Sequence, residues 1–181
     1  MLNTGLKHLR TKKEEDIDIM IKKCKKCNCV IEKNRSCAGY DKEICANCFY
    51  EENLPFEIYP IGFVENDMER DSSDFGRKGS YGNSKINLLS SQKPFMYKLE
   101  DEEYLTIIYY LHKSRVVRPR FKRGLDGKEV GVFASRTPDR LSRIAIQKVN
   151  VINISDTTIT VGGLDAIDGS PVLDIKMSWK K

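Results

Sequence analysis

The chain has 181 residues, of which 40% are hydrophobic and 31% charged, with 31 Lys and Arg against 26 Asp and Glu, a net charge of +5 and a pI near 8.8. That composition suits one modest folded domain plus a small appendage and excludes a disordered or fibrous chain. No apolar run approaches the roughly 20 residues that cross a bilayer, and the mild positive charge permits RNA binding without requiring it.

Residues 1–23 are rich in both Lys and Glu, with Ile17, Ile19, Met20 and Ile21 as the one apolar cluster, and predict a tail leading into a short helix. The start lacks the apolar stretch of a secretory signal, so a cytoplasmic, non-membrane protein is expected. All six cysteines follow between Cys24 and Cys48. In such a compartment they point to metal or redox chemistry before disulfides. Cys24-x-x-Cys27 and Cys45-x-x-Cys48 stand 17 residues apart, a two-knuckle spacing in which each turn offers two thiolates to one tetrahedral ion. Zinc is the expected metal, with Cys24, Cys27, Cys45 and Cys48 as ligands and an iron–sulfur cluster as the alternative, since thiolates alone do not select the ion. Cys29 and Cys37 are extra: core thiols, substitutes for one of the four, or partners of a second ion. A segment of about 25 residues with few large apolar side chains needs such a staple to fold. A closed four-thiolate site leaves no position for substrate, so its expected role is structural. The organisation expected is a tail over 1–23, a zinc module over 24–55 and the main domain over 56–181.

Phe49 to Pro60 reads as an extended connector, and Ile61–Val64 as the first strand of the main domain. Residues 68–85 are polar and Gly/Ser-rich and predict a loop, in which Arg70, Arg77 and Lys78 are solvated cations. Candidate strands follow at Ile86–Leu89 and Pro94–Leu99. Tyr104–Leu111, YLTIIYYL, is the strongest central strand. His112 ends it, either as a functional group or as a histidine satisfied by backbone. The densest basic segment comes next. Arg115, Arg118, Arg120, Lys122 and Arg123 are candidate phosphate contacts with Phe121 available for stacking, or else a solvated connection.

A short apolar strand from Glu129 to Ser135 then enters Arg136-Thr-Pro138-Asp139-Arg140. Ile144–Ile154 and Thr157–Val161 pair as a hairpin around Asp156, and Val172–Met177 is the last strand. Asp165, Asp168 and Asp174 surround an Asp-Gly turn. Charges in such apolar surroundings are too costly to bury unpaired, so they line a cleft or pair with one another. Many short strands in series predict a mainly antiparallel β-barrel. No Gly-x-Gly-x-x-Gly follows a strand, which argues against a Rossmann-type site.

Two motifs carry a resemblance. Gly131-Val-Phe-Ala134, Arg136, Pro138, Arg140 and Ile144 form the first. Leu164-Asp165, Asp168-Gly169, Pro171-Val172 and Asp174-Ile-Lys176 form the second. In order and interval they resemble the TrmO (TsaA-like) family of tRNA methyltransferases, over about two thirds of the chain. The resemblance implies a β-barrel, S-adenosylmethionine as methyl donor, and as substrate the exocyclic nitrogen of threonylcarbamoyl-adenosine in tRNA. It also implies a homodimer. Carried onto the matched positions, donor contacts fall on Phe133, Ala134, Arg136, Arg140, Ile144, Leu164 and Asp165, and also on Ser142, where the family has Asn. A cation, Arg136 or Arg140, would meet the donor carboxylate. Asp165 and Asp168 would accept from its ammonium or ribose, and Phe133, Leu141, Ile144 and Leu164 would form the adenine slot. Asp168, Asp174 and His112 are the candidates for taking the substrate proton. The chain departs from the family where Leu141-Ser142-Arg143-Ile144-Ala145 replaces Pro-Asn-Pro-Ile-Gly, and where Met177-Ser178 replaces Pro-Tyr. Alternative readings are a methyltransferase acting on a small molecule or a protein, and a non-catalytic adaptor on the same barrel.

Overall fold

A computed structural model describes residues 23–31, 36–37, 41–51, 56–67, 82–114 and 116–179. The expected tail helix, the polar loop with Arg70, Arg77 and Lys78, and Arg115 lie outside them. Chain contacts define two units, Met1–Asn53 and Leu54–Lys181.

The first unit is small. Strands β1 (Ser36–Cys37) and β2 (Asp41–Cys45) pair antiparallel, and β2 runs directly into the single turn of helix α1 (Ala46–Phe49). Its described residues bury little besides Cys24 and Cys45.

The second unit holds β3 (Gly62–Glu65), β4 (Asn83–Leu88), β5 (Tyr104–Tyr110), β6 (Arg120–Lys122), β7 (Glu129–Gly131), β8 (Ile144–Ser155), β9 (Thr158–Gly162) and β10 (Pro171–Met177). Six of them close into a barrel in the order β10-β3-β4-β9-β8-β5, every neighbour antiparallel, while β6 and β7 form a separate hairpin. The fold is therefore mainly β with a closed antiparallel barrel, as the run of short strands predicts.

Alternation along the strands builds the core. Leu105, Ile107 and Tyr109 of β5 point inward with Val64, Ile86, Leu88, Val149, Ile159, Val161 and Val172. The period of two puts one face of every strand inside. Closing a barrel of six strands demands tight approaches, and Gly62 shows one. A Cβ there would lie 2.5 Å from the Asn87 carbonyl oxygen and 2.8 Å from Leu88 Cα, so β3 and β4 meet at this spacing because the residue has no side chain.

The structure corrects two of the expected strands. Pro94–Leu99 is not one: Ser90–Met96 is a 3₁₀ turn containing Pro94, and a second turn covers Leu99–Asp101 after Lys98 at φ 61°. Pro94 has no N–H to give a ladder, and β4 already pairs with β3 and β9, so this segment serves as the β4–β5 connection. The strand expected over 129–135 stops at Gly131, after which Val132–Ala134 turn as a 3₁₀ helix. No helix among the described residues is long and apolar enough to cross a membrane.

Candidate functional site

Two constellations stand out, one in each unit. In the first, the Cys24-x-x-Cys27 turn is followed by Asn28 at φ 59°, an αL position that Asn accepts more readily than most residues. Hydrogen bonds from the Asn28 N–H to the Cys24 carbonyl and from the Cys24 N–H to the Cys29 carbonyl (both 2.8 Å) close this knuckle. The second knuckle is the β2–α1 junction, where the Cys48 N–H donates to the sulfur of Cys45, the residue capping α1. The Lys25 N–H donates to the Glu43 carbonyl and ties one knuckle to the other, and the Lys25 and Glu43 side chains pair. The sulfurs of Cys24, Cys27, Cys45 and Cys48 lie within 4.8 Å of one another. None of Cys24, Cys27, Cys29, Cys45 and Cys48 is in a disulfide.

The electrostatics suit a cation. The Cys45 N–H donates to Cys24 Sγ at 3.3 Å, and that bond lowers the Cys24 thiol from 9.0 to about 6. Backbone and side-chain bonds around Cys29 lower Cys27 as well, whereas side-chain hydrogen bonding to Cys27 and Cys45 pushes Cys48 up. Thiolates formed on one side thus obstruct ionisation on the other, and a divalent ion at their centre removes that conflict. The donor set and its spacing fit a tetrahedral thiolate metal.

In the second unit, polar groups converge where β5 ends and β8 and β10 begin. His112 sits in the turn after β5, with its N–H on the Tyr110 carbonyl at 2.9 Å. Its Nδ1 lies 3.4 Å from Ser170 Oγ, and its Nε2 comes within 3.8 Å of the Cβ position of Gly169, which takes φ 74°. The Asp168–Ser170 turn is held to β3 by the Gly169 N–H on the Val64 carbonyl (2.8 Å) and the Val64 N–H on the Ser170 carbonyl (3.0 Å). Asp168 Oδ1 accepts from the Asn66 N–H at 3.1 Å, while the Asn66 amide donates to Ser84 Oγ and the Ala166 carbonyl, each at 2.9 Å. Partial burial lowers the His112 pKa; Lys113 adds to this and Asp168 opposes it. The imidazole is therefore neutral at pH 7 and able to accept a proton.

The same shift gives a pH dependence. The unfolded chain takes up the His112 proton near its ordinary 6.5, before the folded chain does, so acidification favours unfolding. The stability that His112 contributes is complete above that value and is lost as pH falls from it through the lower folded value. A Tm series between about pH 7.5 and 5 is expected to slope less in His112→Gln than in wild type. Equal slopes would mean that His112 titrates as in the unfolded chain.

The loop 132–143 packs beside this end. The Leu111 N–H donates to the Arg143 carbonyl (2.8 Å), Ser114 Oγ to the Pro138 carbonyl (3.1 Å) and the Arg118 N–H to the Asp139 carbonyl (3.1 Å). Arg118 Nε also meets Asp139 Oδ2 at 3.3 Å. The two arginines of the first motif differ. Arg140 turns inward onto its own loop, with Nε on the Thr137 carbonyl at 2.9 Å and Nη2 on the Ser135 carbonyl at 2.7 Å. Arg136 is exposed and has no ion pair or hydrogen bond among the described residues. Phe133 beside it is 84% exposed. Ala134 and Ser142 are exposed, Leu141 and Ile144 half-buried.

The second motif splits. Leu164 is fully buried in the barrel core. The Asp165 N–H donates to Gln147 Oε1 (2.9 Å), its carbonyl accepts from the Tyr109 hydroxyl (2.5 Å), and Gln147 Nε2 donates to the Gly163 carbonyl (2.5 Å). Asp174 pairs with Lys176 at 2.6 Å and stands opposite Ile108 of β5. At about 3.3 Å per residue that is roughly 13 Å along the strand from His112. The structure therefore brings together His112 and Asp168, with Arg136, Phe133 and Ser142 on the loop tied to the same end, and sets Asp174 apart. Of the basic segment, Arg118 is paired with Asp139 and Arg123 with Asp126. Arg120 and Lys122 extend from β6 into solvent with no ion pair among the described residues.

Sequence reading missed Asn66, Gln147 and Tyr109 as the side chains that hold the second motif. Gln147 had a signal: it is a polar residue at an inward position of β8, between Ala145 and Val149.

A closed antiparallel barrel of six strands, with the polar groups around His112 and Asp168 gathered at one end, defines the second unit as a β-barrel domain. The chain belongs to the tRNA-methyltransferase O N-terminal domain family, whose model matches residues 72–181. It is 29% identical over 121 residues to an S-adenosyl-L-methionine-binding protein of Archaeoglobus fulgidus, covering 66% of this chain and 86% of that one. It is 32% identical over 131 residues to a probable S-adenosyl-L-methionine-binding protein of Methanothermobacter thermautotrophicus, covering 68% and 90%. To the tRNA (adenine(37)-N6)-methyltransferase of Mus musculus it is 28% identical over 160 residues, 81% of this chain but 36% of that one. The crystal structure of TrmO from Pseudomonas aeruginosa shares the fold at a TM-score of 0.53 and 22% identity, over 70% of this chain and 57% of that chain. The cysteine cluster precedes the region that the family model matches.

Proposed function

We propose that this protein is an S-adenosylmethionine-dependent methyltransferase acting on the exocyclic nitrogen of threonylcarbamoyl-adenosine in tRNA, with a metal-stapled cysteine module before its barrel. The observation that carries this reading is one barrel end of a family member. It combines an unengaged guanidinium, an exposed aromatic ring and a neutral histidine beside a carboxylate.

The residues present fit the donor. Arg136 offers a cation to its carboxylate, Phe133 a face to its adenine, and Ser142 a hydroxyl on the same loop. S-adenosylmethionine supplies, when bound, a methyl group on a positively charged sulfur. The acceptor nitrogen is weakly nucleophilic, so its proton must leave as it attacks. His112 takes that proton because it is neutral, and Asp168 across the turn stabilises the imidazolium that results. Asn66 and Ser170 fix those two groups in position. Arg120 and Lys122 contact phosphates of the RNA.

The test uses the full chain, labelled S-adenosylmethionine, and tRNA with or without threonylcarbamoyl-adenosine, read by mass analysis of nucleosides. The expected result is a methyl group on the modified adenosine only, slowed by about 100-fold in His112→Gln. Transfer to a protein or small molecule would replace the RNA substrate. Donor binding without any transfer would favour the adaptor reading.

A further inference from the structure

Among the described side chains, five thiols gather in the cysteine module, one more than a tetrahedral ion uses. Cys29 lies outside the set of four mutually close sulfurs, yet the Cys27 thiol donates to its sulfur at 3.2 Å. The fold puts it there deliberately: after the αL turn at Asn28, the Cys24 N–H on the Cys29 carbonyl and the bridge between Lys23 and Val30 bend the chain back past the first knuckle. Burial then divides the cluster into two sides. Cys24 and Cys45 are buried, whereas Cys27 and Cys29 are exposed and adjacent.

We infer that Cys29 is a fifth metal donor that exchanges with Cys27 at the exposed corner of the site, while Cys24 and Cys45 hold the ion fixed at the buried corner. The inference rests on the reading that the module binds a zinc-class ion. Such an ion has no geometric preference from its d-electrons and passes through five-coordination without penalty from them. A sulfur 3.2 Å from a ligand sulfur is a neighbour that a change of side-chain rotamer carries toward that ligand's place. In the exchange the Cys29 thiol releases its proton to solvent and binds, and the departing Cys27 thiolate takes one up, so the charge of the site is unchanged. Two consequences follow. The ion survives loss of Cys27, and it leaves toward outside thiols or chelators through this corner.

Cobalt(II) titration of the full-length protein tests this, because charge-transfer absorption counts thiolate ligands. Cys27→Ser is expected to bind one ion at wild-type intensity, and the double variant Cys27→Ser/Cys29→Ser to lose about a quarter of it, one thiolate of four. Cys29→Ser alone keeps the full intensity but hands zinc to a chromophoric chelator more slowly than wild type. If Cys27→Ser already shows the quarter loss, or binds no cobalt, the fifth donor is overturned while the four-thiolate site stands. If wild type binds neither cobalt nor zinc, the metal reading itself fails.

Discussion

Chelation, or the single change Cys45→Ser, is expected to abolish hydrogen-exchange protection throughout the Cys24–Phe49 unit. The unit has almost no core of its own: among the described residues, the buried side chains there are Cys24 and Cys45, two of the four clustered thiols. Among the described residues its secondary structure is two short strands and one helical turn. Neither supplies the free energy to order some 25 residues at roughly 1–2 kcal/mol each. A structural zinc ion supplies about 10–16 kcal/mol in comparable modules. Cys45 is the sharpest single test because its sulfur is a clustered thiol, caps α1 and accepts the Cys48 N–H, while its own N–H lowers the Cys24 pKa. The barrel strands have a separate apolar core, and their protection is expected to persist under the same treatment. Retained protection at Cys24–Phe49 in excess chelator would refute a metal-dependent fold.

The second large effect separates two arginines that look equivalent in the motif. Arg136→Ala is expected to weaken binding of S-adenosylmethionine by about 2 kcal/mol, roughly 30-fold, with Tm unchanged. Its guanidinium makes no hydrogen bond or ion pair among the described residues, so the folded protein loses no such bond. Arg140→Ala is expected to lower Tm, because its two bonds to the Ser135 and Thr137 carbonyls hold the loop, and each charge-assisted bond contributes about 1.5–3 kcal/mol before allowance for exposure. Donor affinity in that variant falls only as far as the loop loses its shape. Calorimetric titration and thermal melts on the same two proteins decide the matter. The reverse pattern, with Arg136→Ala destabilising and Arg140→Ala binding-deficient at full stability, would exchange their roles.

The two arginines also show where sequence reading stops. An arginine before a Pro and another just after it give the same signal in one dimension. Which one faces solvent depends on the 3₁₀ turn at Val132–Ala134, and that turn depends on where the β6–β7 hairpin releases the chain. Asp174 and Asp168 likewise read alike. Tertiary structure pairs Asp174 with Lys176 on the wall of the barrel and leaves Asp168 opposite His112, joined through a bond to Asn66 that spans 102 residues of sequence. Leu164 matched the motif, but its place is in the core.

Local chemistry was sufficient for other features. Two Cys-x-x-Cys turns at that interval predict a shared cluster, because ligand geometry constrains spacing directly, and the four sulfurs do lie within 4.8 Å of one another. Alternating apolar residues and β-branched runs specify strands, since the pleat repeats every two residues whatever the partner. These properties belong to neighbouring residues, and the sequence by itself determined them: a mainly β chain, a barrel built of short strands, a cysteine module ahead of it, and the two motifs that mark the family. Only the tertiary structure decided the order in which the strands close, the failure of Pro94–Leu99 to join them, and the separation of Asp174, paired with Lys176, from His112 and Asp168. Each of those outcomes depends on which distant backbone or carboxylate is within hydrogen-bonding reach, and that distance exists only once the barrel has closed.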